Sequence, residues 1–302
     1  MIFSALAGSY RPKSVILVII GSISAFGSIT WAETTAALPA KQASHDAVKP
    51  GDRPVSRDGG WRINIGAGML YAPSFMGSKD YQLFAFPSLS VSYGNLFFAS
   101  MREGIGYNII NSNGWRVGPI IKYHFSRKED GNNPFRIGGG KSTALQGLGD
   151  VEGTLEGGGF AEYRQKSLVY KIELRQGIGG HNGIIGDASV NYSGTISLKG
   201  PPIIYAFGPR TAFADSDYIN AYYGINQTQS ANSGLNRYHA GSGLVSYGAG
   251  GFMLMPLYPK VSISLFGGYD RLGNEAADSP LIRQRGSANQ FAAGFNITYK
   301  IE

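Results

Sequence analysis

Apolar residues at every second position, in window after window, restrict this chain more than any other feature. Ile63, Ile65, Ala67, Met69 and Tyr71 alternate with Arg62, Asn64, Gly66 and Gly68. Trp115, Val117, Pro119, Ile121, Tyr123 and Phe125 alternate with Arg116, Lys122, His124 and Ser126. The same rhythm runs through Leu168–Arg175, Asp187–Tyr192, Val261–Tyr269 and Gln290–Ile301. Successive side chains of a strand point to opposite faces, so each window reads as a two-faced β-strand.

Alternation alone leaves open which face meets water. A soluble sandwich buries its apolar face against a second sheet, whereas a membrane barrel turns it to lipid and lines the lumen with the polar face. Three features favour the barrel. The windows run longer than the usual strand of about five or six residues. Aromatic residues gather near window ends (Trp61, Tyr71, Tyr93, Trp115, Phe125, Tyr163, Tyr269, Tyr299), as an interfacial girdle requires. The third is an export signal: Arg11 and Lys13 precede the apolar stretch Val15–Phe26, and Thr30-Trp31-Ala32 offers small residues at the cleavage positions. That stretch is short for a membrane span of about 20 residues. Residues 1–32 are therefore expected to be a signal peptide, 33–60 a flexible periplasmic leader, and 61–302 the barrel.

Composition agrees. Only 16% of residues are charged and Gly numbers 44 among 302, a charge-poor, glycine-rich balance unlike an average soluble domain. There is no Cys, which removes disulfide frameworks, Cys-ligated zinc, iron–sulfur clusters and thiol catalysis. The net charge is +7, but the Lys and Arg residues are scattered singly, without the patches of a nucleic-acid binder.

Turn signals set the strand count. Short turns fall near Gly94–Asn95, Asn111–Gly114, Gln165–Ser167, Lys199–Pro202 and Pro256–Lys260. Longer connections fall at Ala72–Tyr81, Arg127–Val151, Gly179–Gly183, Phe213–Ala240 and Arg271–Gly286. Short and long alternate if Arg102-Glu103-Gly104 supplies one further reversal, between short strands at Leu96–Met101 and Ile105–Ile110. The expected fold is an all-β, transmembrane, antiparallel up-and-down β-barrel of about 12 strands with both ends periplasmic.

Several stretches carry a family resemblance: Leu145-Gln146-Gly147-Leu148-Gly149-Asp150-Val151-Glu152-Gly153-Thr154-Leu155-Glu156-Gly157-Gly158-Gly159-Phe160-Ala161-Glu162-Tyr163, Tyr71–Ser78, Leu174–Gly183, Ala214–Tyr218, and Asp278–Pro280 through Gly286–Phe291. In this order, over about Gly60 to Glu302, the chain resembles the MipA/OmpV family, named for interaction with the murein hydrolase MltA. The resemblance implies the outer membrane of a Gram-negative bacterium, with lipid and lipopolysaccharide around the barrel. It also implies a scaffold of peptidoglycan synthase and lytic transglycosylase; a small-solute porin-like channel and a surface adhesin are the alternatives. No catalytic residues carry over, and no cofactor is implied. Barrels of this kind usually end in an aromatic residue; this sequence ends Tyr299-Lys300-Ile301-Glu302.

Candidate chemistry is sparse. Gly138-Gly139-Gly140-Lys141-Ser142 resembles a phosphate loop, but Phe135 stands where its first Gly should be. The four histidines, His45, His124, His181 and His239, show no metal-ligand spacing, and His181, among glycines, reads as a turn residue. No enzyme signature and no metal site is expected. The polar faces say more. Glu156, Glu162 and Arg164 share one strand face, and Lys171, Glu173 and Arg175 share one face of the next. Antiparallel pairing through Gln165–Ser167 interlocks these charges inside the lumen, either as a plug or as a charged constriction. Asp215, Asp217, Tyr218, Tyr222 and Tyr223 sit in the longest loop, as exterior contacts or as a fold over the barrel mouth. Lys41, Lys49, Arg53 and Arg57 make the leader a candidate periplasmic contact.

Overall fold

The structure is a computed structural model and describes residues 60–197 and 200–301. The signal and leader assignments, with Lys41, Lys49, Arg53 and Arg57, lie outside the described residues. The strands are β1 (Trp61–Pro73), β2 (Tyr81–Tyr93), β3 (Phe97–Ser100), β4 (Gly104–Tyr107), β5 (Ile110–Ser112), β6 (Trp115–His124), β7 (Arg136–Gly138), β8 (Thr154–Gln165), β9 (Leu168–Gly179), β10 (Ile184–Ile196), β11 (Ile203–Ala214), β12 (Gly243–Tyr258), β13 (Val261–Leu272) and β14 (Asn289–Lys300). Four short helices sit in the long loops: α1 (Ser216–Tyr223), α2 (Gln227–Ser233), α3 (Asn274–Ala277) and α4 (Pro280–Arg285).

Neighbouring strands pair antiparallel in the order β1-β14-β13-β12-β11-β10-β9-β8-β6-β4-β3-β2, and β2 returns to β1. The sheet therefore closes as a 12-strand antiparallel barrel. Closure removes sheet edges, which a bilayer does not tolerate. The extra reversal at Arg102-Glu103 is present, between β3 and β4. β5 continues the fourth wall strand against β6, with Ile110 opposite Val117. The turn at Asn113-Gly114 has positive φ at both residues, 51° and 82°, as a two-residue hairpin turn demands.

Side chains follow the alternation. Ile65, Ile121, Leu155, Ile172, Leu174, Phe207, Leu265, Phe291 and Ile297 are exposed on the outer wall, while Glu156, Glu173, Asp187, Ser189, Asn191, Ser264 and Asn296 are buried within. The outer face is the lipid-facing band. At one rim Trp61 packs on Tyr93, and Trp115 on Tyr163; at the other Tyr71 stacks on Tyr81. Outer-membrane barrels keep short turns periplasmic and long loops extracellular, which makes the Trp61–Trp115 rim periplasmic.

β3 and β4 have four residues each, too few to cross a hydrocarbon layer that takes about 9–11. The loop between β6 and β8 fills the missing wall. β7 pairs with the upper part of β2, Leu83 opposite Gly138, and Phe135 packs inward against the cluster of Leu70, Phe84 and Phe86. The glycine-rich stretch therefore begins as a wall strand. No helix follows it, so it lacks the strand–loop–helix context of a phosphate loop.

Candidate functional site: a charged lumen beneath a loop dome

Barrel closure gathers one wall of the lumen, β6, β8, β9 and β10, into a continuous ion-pair network. Arg175 projects from β9 toward three carboxylates. Its Nε donates to Glu156 Oε2 at 2.8 Å, its Nη1 to Glu173 Oε2 at 2.5 Å and its Nη2 to Asp187 Oδ2 at 2.7 Å. Glu173 is the matching anion, with Lys122 Nζ at 2.5 Å and Lys171 Nζ at 2.7 Å. Lower in the lumen Arg116 pairs with Glu162 at 3.2 Å, and Arg164 Nη1 donates to Ser193 Oγ. Buried ions of this kind need partners, because removing them from water costs several kcal/mol each. Lys122, Lys171 and Arg175 face Glu156, Glu173 and Asp187, so the central cluster is charge-balanced.

All six residues of the sequence-derived network line this wall. Lys122, His124, His181 and Asp187 are additional members. Lys122 and Asp187 were legible as polar positions of their strands, but their partners were not. His181 does lie in the turn between β9 and β10, but it is more than a turn residue: it is 3% exposed, and its Nε2 faces Glu156 Oε1 at 3.2 Å.

His124, Glu156 and His181 bring three ligand atoms within 4.8 Å of one another, a donor set of the kind that holds zinc. The surroundings do not fit an ion. His181 Nδ1 accepts the Gly183 N–H at 3.2 Å, which assigns the ring proton to Nε2, where a metal would have to bind. Arg175 already occupies the other Glu156 oxygen, and a dication would add uncompensated charge to a balanced cluster. His124, Glu156 and His181 form a hydrogen-bonded unit without an ion.

A dome of loops covers the network. The largest apolar cluster of the described residues lies here and not between the barrel walls. It includes Phe75, Leu145, Leu148, Ile185, Tyr218, Ile219, Tyr223, Val245, Leu272, Leu281 and Ile282. Tyr218, Tyr222 and Tyr223 are 2%, 9% and 2% exposed, which decides against the exterior-contact reading and for the fold over the barrel mouth: they plug it. Burial pushes all three phenols above the ordinary tyrosine range. Asp215 caps α1 by accepting the Tyr218 N–H at 2.9 Å, while Asp217 is exposed. Hydrogen bonds tie the loops together: Ser279 Oγ to Tyr223 O at 2.6 Å, Gln229 Nε2 to Leu148 O at 2.7 Å, and Arg285 Nη1 to Gln146 O at 3.0 Å. The motif-bearing stretches supply this construction: Leu145 and Leu148 enter the dome, Glu156 and Arg175 the network, and Gln290 Oε1 accepts the Gly77 N–H at 3.0 Å.

A closed antiparallel barrel with a lipid-facing apolar band, a charged interior and extracellular loops defines an outer-membrane protein of a Gram-negative bacterium. The family described as MltA-interacting protein MipA matches residues 65–301, and the chain belongs to that family. Two relatives are outer membrane protein Omp26La of Vibrio anguillarum, 32% identical over 110 residues, and outer membrane protein OmpV of Vibrio cholerae serotype O1, 33% identical over 110 residues. Each match covers 36% of this chain and 40% of the relative. Among solved structures, a bacterial polysaccharide outer membrane secretin aligns over 80% of this chain and 98% of its own at 8% identity and a TM-score of 0.40. Neisserial surface protein A aligns over 80% and 97% at 10% identity and a TM-score of 0.24.

Proposed function

We propose that this protein is a sealed outer-membrane scaffold that holds peptidoglycan hydrolase and synthase at the membrane through its periplasmic parts. The observation that supports this best is the filled upper lumen. Charged groups that would line a conducting pathway are paired with one another and roofed by packed apolar loops. Small barrels are normally filled in this way. The family's description as MltA-interacting supports a lytic transglycosylase as one partner. Periplasmic enzymes would reach it at the leader, the short turns and the C-terminal end. The leader carries Lys41, Lys49, Arg53 and Arg57, cations suited to contacting a periplasmic partner.

Affinity purification of the tagged chain from membrane extracts tests this. The expected result is co-purification of a lytic transglycosylase, lost when 41–57 is deleted with signal and barrel kept. Undiminished capture would remove the leader from the contact, and absence of any murein enzyme would sink the scaffold reading. In planar bilayers the purified barrel should show no steady large conductance; Glu156→Ala with Glu162→Ala should raise it. Steady conductance of the unmodified chain would promote a small-solute channel instead.

A further inference from the structure

A chain of hydrogen bonds links one buried imidazole to the helix that plugs the barrel. His181 Nδ1 accepts the Gly183 N–H at 3.2 Å. The next residue, Ile184, is bonded to Asp215 twice: its N–H donates to Asp215 Oδ2 at 2.8 Å, and its carbonyl accepts the Asp215 N–H at 3.0 Å. Asp215 Oδ1 in turn caps α1 at Tyr218. The segment Gly183–Ile184 thus fastens the N-terminus of α1 to the network below.

We propose that His181 is a proton-sensitive latch, and that its protonation in mildly acidic surroundings releases α1 and opens the extracellular mouth of the lumen. The inference rests on the reading of the lumen as sealed. Imidazole is the side chain whose unperturbed titration falls between pH 5 and 8. In the neutral tautomer Nδ1 is an acceptor; in the cation both nitrogens are donors. A second proton would therefore place an N–H against the Gly183 N–H, where nothing can accept it, and the turn must move away.

The groups facing His181 come from every element around it. Glu156 on β8 favours the cation and remains a partner for Nε2. Arg175 on β9, bonded to the same carboxylate, and His124 on β6, with its ring centroid 6.0 Å from that of His181, oppose the cation. From α1, Tyr218 packs edge-on at 4.8 Å and Tyr222 lies at 6.0 Å. Arg127 lies over the Tyr222 ring, 5.7 Å from its centroid, and donates to the Tyr222 carbonyl. His181 also borders the extracellular cleft that Glu152, Asp150 and Asp217 line, with its ring buried just beneath it.

The chain contains no cysteine, so single introduced thiols report opening. Ala212→Cys places one on the inner wall opposite Asp187, 3% exposed under the dome. Asn236→Cys places a reference thiol on the exposed loop surface. Intact cells are treated with an impermeant maleimide, and the Ala212→Cys rate is divided by the Asn236→Cys rate, which cancels thiol ionisation. The ratio should rise at least tenfold from pH 7.5 to pH 5.0, and should not change with pH in a His181→Gln background that retains the heat-modifiable folded band. The unmodified chain gives an independent reading: amide exchange of residues 216–223, corrected for the intrinsic pH effect, should accelerate on acidification. A ratio near one at pH 7.5 would overturn the sealed lumen itself. A low ratio at both pH values, with unchanged amide exchange, would overturn the latch and leave the seal standing. A tenfold rise that persists in His181→Gln would also overturn the assignment to His181.

Discussion

The two walls of the lumen use opposite means to fill one barrel. On β6, β8, β9 and β10 the inward positions carry long charged side chains, and each buried ion is matched by a neighbour. On β1, β2, β13 and β14 the inward positions are mostly small, polar or aromatic, with Arg62 and the Arg210-paired Asp270 as charged exceptions, and rings lie against glycines. Phe86 covers Gly68, and a Cβ at Gly294 would stand 2.8 Å from the Phe266 ring. Asn64 Nδ2 donates to Ser90 Oγ and Asn296 Nδ2 to Ser88 Oγ. Ions fill space at the risk of leaving a partner stranded; rings over glycine fill it by shape and leave no charge unpaired. The charged wall should therefore be the fragile one.

Glu173→Gln tests this most severely. It leaves Lys122, Lys171 and Arg175 facing fewer anions than cations, and should cost about 3–5 kcal/mol, read as a lower urea midpoint of the heat-modifiable band. A loss under about 1 kcal/mol would mean that water already reaches this wall, and the contrast between walls would fail. On the other wall, Gly294→Ala pushes a methyl group into the Phe266 ring and the Met69 carbonyl. Overpacking of this kind costs about 1–3 kcal/mol, and the same urea series should show a smaller shift than Glu173→Gln.

The dome sharpens the contrast because the tyrosines packed in its core are neutral phenols. The buried Tyr218, Tyr222 and Tyr223 phenols titrate higher when folded than when unfolded. Their contribution is complete below the unfolded value of about 10 and is lost as pH rises above it, at up to about 1.4 kcal/mol per unit for each tyrosine. Protease nicking of residues 215–242 should therefore set in above about pH 10 while the barrel stays intact; a dome unaffected at pH 11 would contradict the burial. The smallest effect is expected from Tyr222→Phe. The Tyr222 hydroxyl is buried beside Thr154, with no partner in full hydrogen-bonding geometry among the described residues, so its removal should leave stability unchanged or raise it by under about 1 kcal/mol. A loss above about 1 kcal/mol would reveal a partner in solution.

What the sequence determined by itself was the wall: which residues face lipid, how many strands close, and where they turn. These follow from backbone geometry, since a period of two assigns faces without knowledge of neighbours, and Asn113-Gly114 or Lys166-Ser167 reverses the chain locally. Even the short β3 and β4 were legible, because the parity of short and long connections required them. Opposite charges on β8 and β9 were legible too, since one short turn sets their register, with Glu162 opposite Lys171. Only the tertiary structure decided the rest. Lys122 reaches Glu173 across 51 positions and Arg285 reaches Ala144 across 141, separations at which no periodicity carries information. His181 looks like a turn residue because its glycine neighbours do build a turn; its burial comes from α1, folded down from another loop. Whether the tyrosines of that loop face outward or fold over the mouth stayed open for the same reason: a helix shows its own pattern, but what covers it is set by the closure of the barrel beneath.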